Sequence, residues 1–73
     1  MINKLTEREK QILKLIANGL TNKGIAQHLL IAESTVENHV HHIYEKLDIE
    51  NRVQATRFAY QAGLVSSEKA ESE

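Results

Sequence analysis

Val36, Val40, Ile43 and Leu47 recur at intervals of four, three and four residues. At about 100° of turn per residue they fall within roughly 60° of one another on a helix, so they must face a core. The opposite face is thereby fixed as Glu37, Asn38, His41, His42 and Glu45, with Tyr44 at the margin. No competing periodicity interrupts this pattern. The chain has no Pro, and β-branched residues nowhere alternate with polar ones long enough to suggest a strand. The expected fold class is all-α.

Capping signals divide the chain into four helices. Thr6 with Glu9 has capping-box spacing, opening a helix that should run to about Asn18 and bury Ile12, Leu13 and Ile16. Gly19 followed by Leu20 reads as a left-handed stop with its hydrophobic contact. Thr21 can cap a short second helix with Ile25, Ala26 and Leu29 on one apolar face, ending near Leu30. Gly24 inside it costs about 1 kcal/mol relative to Ala. The third helix begins between Glu33 and Thr35, after a turn of three or four residues, which is helix-turn-helix spacing. Asn51 with Gln54 has the spacing of a second capping box, and Gly63 ends the fourth helix. That helix is two-sided: Ala55, Phe58, Ala59 and Ala62 form the stripe assigned to the core, while Val53, Thr56, Arg57 and Tyr60 form another. The second stripe is either ordinary surface or a face for self-association.

A chain of 73 residues is one domain, and at this size folding removes only about 60% of the unfolded surface from water. Without Cys there is neither a disulfide scaffold nor a thiolate metal site, which suits a reducing interior. No window approaches the roughly 18 to 20 apolar residues of a membrane span, and no signal-peptide pattern follows Met1. The expected setting is soluble and cytoplasmic, with no membrane partner. Net charge is −1, which argues weakly against nucleic acid, but the distribution softens this. Residues 1–33 carry five Lys/Arg against three Glu (+2), and residues 34–73 carry four against seven acidic residues (−3). The segment SSEKAESE, residues 66–73, is expected to be a disordered polar end, leaving residues 1–65 as the domain, at +1.

From Leu5 to Val65 the residues LTERE, GLTNK, IA, STV, NHV, KL and NR occur in an order and spacing that resembles the LuxR-type helix-turn-helix domain, the GerE or NarL/FixJ output domain of bacterial transcription regulators. The resemblance implies a four-helix domain whose third helix enters the major groove of double-stranded DNA, binding as a homodimer through helix 4. Carried over to this chain, it implies that Asn22, Lys23, Thr35 and Arg52 lie near phosphates. It likewise implies that Glu37, Asn38 and His41 face bases, and with pairing through helix 4 the outer stripe of Val53, Thr56, Arg57 and Tyr60 is taken as the dimer face. It allows for a covalently linked receiver or ligand-sensing domain, and it implies no cofactor.

Three departures stand out. Position 32 is usually Ser or Thr in the family and here is Ala32, so helix 3 is expected to fray at its start or to begin at Ser34. Glu37 replaces the usual Lys or Arg. Because Ser34 and Glu37 have capping-box spacing, Glu37 either turns back on the backbone or faces DNA. His41 stands where Ser or Lys is common, with His42 beside it.

An almost uncharged helix can still read DNA, because phosphate contacts supply salt-dependent affinity while base-edge contacts select sequence. Lys23, Arg52 and Thr35 can serve the first, aided by N–H groups at helix starts. For the second, Asn38 can bond bidentately to adenine, Glu37 can accept from a cytosine amino group, and His41 or His42 can donate to guanine N7 or to a phosphate. Protonating His41 and His42 would add positive charge to this face, so non-specific binding should tighten near pH 6 relative to pH 8. His39, near the core edge, reads as a packed histidine. Three alternatives are weighed. A metal shared by His39 and His42 lacks further ligands. An enzyme lacks a nucleophilic triad, paired carboxylates and a phosphate loop. A helix-turn-helix domain turned to protein interaction is the runner-up, suggested by the acidic outward residues.

Overall fold

The computed structural model describes residues 4–65. The expectation for residues 66–73 lies outside the described residues. Four helices follow one another: α1 (Glu7–Ala17), α2 (Asn22–Leu29), α3 (Glu33–Leu47) and α4 (Arg52–Gln61). The α1 capping box forms on both sides, with Glu9 N–H donating to Thr6 Oγ1 at 3.1 Å and Thr6 N–H donating to Glu9 Oε1 at 3.0 Å. At α2, the Thr21 hydroxyl accepts from Gly24 N–H at 3.0 Å, so each of these helices has a first-turn donor satisfied by its own sequence.

All four helices stop in the same way. Gly19, Leu30, Asp48 and Gly63 have positive φ, and the N–H of the aliphatic residue after each donates to a carbonyl five residues back. The four pairs are Leu20 to Leu15, Ile31 to Ala26, Ile49 to Tyr44 and Leu64 to Ala59. This is the long bond of a Schellman stop, and Leu20, Ile31, Ile49 and Leu64 each pack against the core from there. Two of the four stops use residues other than Gly. Asp48 tolerates the left-handed region better than an aliphatic residue does, whereas Leu30 sits there with 89% of its surface exposed.

The core is aliphatic and small. Ile12, Leu13, Ile16, Ile25, Val36 and Ile43 are fully buried, joined by Leu5, Ala26, Leu47, Ala55 and Ala59. Burying such side chains contributes on the order of 1.5–3 kcal/mol each before conformational entropy is subtracted. α4 packs on α1, and α3 packs on α2 and α1, so α1 is the element common to both halves.

Several expectations need correction. α3 neither frays back nor moves to Ser34; it begins at Glu33 directly after Ala32, with no side-chain cap hydrogen bond, because a methyl group cannot accept one. The second capping box is displaced. Asn51 Oδ1 accepts from Gln54 N–H at 2.9 Å, but Gln54 Oε1 accepts from Glu50 N–H at 2.7 Å instead of from Asn51. Ala62 is exposed, since the helix has ended at Gln61 and the turn at Gly63 sends Leu64 to the core in its place. Val40, Leu29 and Phe58 are half-buried.

Candidate nucleic-acid interface

The inner stripe of α3 behaves as its spacing requires, with Val36, Ile43 and Leu47 buried. Its other side is a continuous polar arc: Thr35, Glu37, Asn38, His41, His42 and Glu45 are all exposed. Ser34 lies inside the helix and does not cap it, so Glu37 is left outward. Within the arc, His41 Nε2 lies 3.2 Å from Glu45 Oε2, one turn further on, and the His41 and His42 rings stand 6.1 Å apart. The Glu45 carboxylate therefore competes with any outside acceptor for a His41 N–H and partly offsets positive charge placed there.

The residues expected near phosphates are less alike. Lys23 is exposed in the first turn of α2, beside backbone N–H groups that have no helical partner and that favour an anion. Asn22 is half-buried and turns its Oδ1 inward, where it has no hydrogen-bond partner. The amide nitrogen is the donor end and the one suited to phosphate. Arg52, at the start of α4, is half-buried, and its Nη2 donates to the Leu20 carbonyl in the turn between α1 and α2. That bond ties α4 to the segment leading into α2 and commits one edge of the guanidinium.

On α4, Val53 is 68% and Tyr60 41% exposed, Arg57 is exposed and Thr56 is half-buried. Arg57 also lines a shallow groove with Asp48, Ile49, Gln54, Phe58 and Gln61. Among the described residues there is no group of three or more His, Cys, Asp or Glu that could hold a metal ion, and no helix is long and apolar enough to cross a membrane.

One arrangement has no counterpart in the sequence reading. Glu9 is 4% exposed, and Lys46 Nζ, from the last turn of α3, donates to its Oε1 at 2.7 Å. Burial pushes the Glu9 carboxyl up, but the Lys46 ammonium, the Thr6 N–H and the nearby His39 together hold it below the ordinary glutamate value. A signal was present: Glu9, Leu13 and Ile16 share one helical line, so Glu9 on the buried stripe needed a cation. Its role in the capping box already accounted for it and hid the second requirement.

A short helix, α2, and the longer α3, joined by a tight turn, with α3 presenting an exposed polar arc and the pair flanked by α1 and α4, define a helix-turn-helix domain of four helices. The chain belongs to the luxR family of bacterial regulatory proteins, whose family model matches residues 3–59. It is 52% identical over 60 residues to the nitrate/nitrite response regulator protein NarL of Escherichia coli (strain K12), across 82% of this chain and 28% of that protein. It is 49% identical over 53 residues to the transcriptional regulatory protein DesR of Bacillus subtilis (strain 168), across 73% of this chain and 27% of DesR. The DNA-binding transcriptional activator DevR/DosR of Mycobacterium tuberculosis (strain ATCC 25618 / H37Rv) is 47% identical over 55 residues, across 75% of this chain and 25% of the activator. Among solved structures, the response regulator ChrA of a heme-sensing two-component system superposes with a TM-score of 0.77 at 43% identity, across 84% of this chain and 30% of ChrA. The chain thus spans little more than a quarter of the length of these curated relatives.

Proposed function

We propose that this domain binds double-stranded DNA in bacterial transcription regulation, with α3 in the major groove. The observation that carries the reading is the exposed arc of α3, held outward by the buried Val36, Ile43 and Leu47 behind it. Glu37, Asn38, His41 and His42 face base edges, where hydrogen bonding discriminates between bases. Lys23, Asn22 and Thr35 meet phosphates, and Arg52 adds the donors that its bond to Leu20 leaves free. Two copies pair through Val53, Thr56, Arg57 and Tyr60, the outward side of α4, so that two α3 helices address paired half-sites. The relatives named as response regulators are several times longer, which supports a linked receiver or sensing domain acting on this one in the cytoplasm.

The test is a titration of labelled duplexes, drawn from a random library by the protein itself, at two salt concentrations. DNA binding by this face requires a steep loss of affinity with added salt, because displaced counterions return to the duplex. A dissociation constant indifferent to salt would overturn it in favour of a helix-turn-helix domain that serves protein interaction.

A further inference from the structure

The stripe that seats α3 is wholly aliphatic, and apolar contact is non-directional. It decides which face of α3 turns inward but only weakly opposes sliding or tilting along the groove between α1 and α2. Base reading needs more, since hydrogen bonds to base edges fail when donors and acceptors move by more than about 0.5 Å. Among the described residues, one side-chain hydrogen bond joins α3 to another helix, and it is Lys46 to Glu9 at 2.7 Å. The carboxylate is in turn fixed by Thr6 N–H at 3.0 Å, so both ends of the tie have defined positions. Lys46 lies eight residues beyond Asn38, about 12 Å along the axis at 1.5 Å per residue. A tilt of about 10° pivoting at the Lys46 end would displace Asn38 by about 2 Å over that lever arm. His39 lies seven residues before Lys46, two turns back on the same line of α3, and its imidazole is among the groups that lower the Glu9 carboxyl.

We infer that Glu9 is a positioning residue for DNA recognition: bonded to Lys46, its carboxylate fixes the tilt and axial register of α3, so that sequence selectivity depends on a side chain of α1 that faces away from the duplex. The inference rests on the reading of α3 as the DNA-facing helix.

The experiment uses Glu9→Gln, which keeps an acceptor for Thr6 N–H and nearly the same shape while removing the charge that holds Lys46. A second variant, Lys46→Met, removes the other partner, and Lys46→Arg restores a charged donor. Residual dipolar couplings of the free, folded proteins report the direction of α3 relative to α1. Binding to a duplex selected by the wild-type protein and to a scrambled duplex of equal composition reports selectivity. Expected for both single variants are α3 couplings that no longer fit the wild-type orientation, and a selected-to-scrambled preference reduced about tenfold, the discrimination carried by one well-formed base contact. Lys46→Arg should retain most of that preference. A purely stabilising role would instead weaken both duplexes equally through the unfolded fraction and leave the couplings of the folded fraction unchanged, and that result would overturn the inference. If the wild-type protein selects no sequence at all, the DNA reading fails, while the couplings still decide whether Glu9 sets the tilt of α3.

Discussion

Arg52 reaches back thirty-two residues to donate from its guanidinium to the Leu20 carbonyl. The bond links the first residue of α4 to the turn that launches α2, and it satisfies a backbone acceptor in that turn. Arg52→Ala should therefore lower stability by about 1.5–3 kcal/mol, the range for a hydrogen bond with one charged partner. In a domain of this size that is a fall of about 6–24 °C in melting temperature, and a melting curve superposable on that of the wild type would disprove the tie.

Ala32 leaves the start of α3 without a side-chain acceptor, although its backbone is already extended, with φ −71 and ψ 148. Ala32→Ser should supply the missing acceptor without rearrangement and stabilise the fold by about 1 kcal/mol. Chemical denaturation checks this through a raised midpoint at unchanged slope.

Leu30 combines a left-handed backbone, φ 61, with an exposed side chain. Its replacement by Gly gives up little packing and removes the steric cost of that conformation, about 1 kcal/mol. Leu30→Gly is thus expected to hold or raise stability, whereas the same change at the buried Ile25 would be severely destabilising. A substantial loss for Leu30→Gly would mean that the side chain makes contacts its exposure denies.

Acid should weaken the fold through Glu9. Its carboxyl is held below the ordinary value in the folded state, so the unfolded chain takes up the proton first as pH falls. The stabilisation is complete above the unfolded value, about 4.3 for glutamate, and is lost as pH drops through the lower folded value. Glu9→Gln should show a flatter stability profile below about pH 5, with the residual slope coming from other carboxylates. An identical slope in both proteins would remove Glu9 from the acid response.

Glu37 stands exposed on the arc and caps nothing. Glu37→Lys should strengthen binding to random duplex and steepen its salt dependence, by up to about 0.9 in the logarithmic slope for each phosphate newly neutralised. Weaker binding with an unchanged slope would place this position away from the DNA backbone.

Much of the fold was legible because the informative residues act on their near neighbours. Thr6 with Glu9, Thr21 as the cap of α2 and the spacing of Val36, Ile43 and Leu47 are all local, and the structure repeats them. The stops at Gly19 and Gly63 were legible because only Gly takes a left-handed backbone freely, while those at Leu30 and Asp48 carried no such mark. The polar arc followed from the stripe opposite it. What escaped were polar bonds between distant segments, Lys46 to Glu9 and Arg52 to Leu20, since no local pattern says which buried carboxylate or carbonyl a long cation will find. The Gln54 bond slipped by one residue to Glu50 for a related reason: spacing defines the reach of a side chain but not which of two adjacent N–H groups it meets.

α1 is the one helix against which both α3 and α4 are seated. Changes confined to the outward side of α4 therefore reach α3 mainly through this shared chassis, with the Arg52 bond to the turn before α2 as a second route. Under the proposed pairing through α4, such a layout would let partner choice and half-site spacing drift over evolutionary time while the letters being read stay the same.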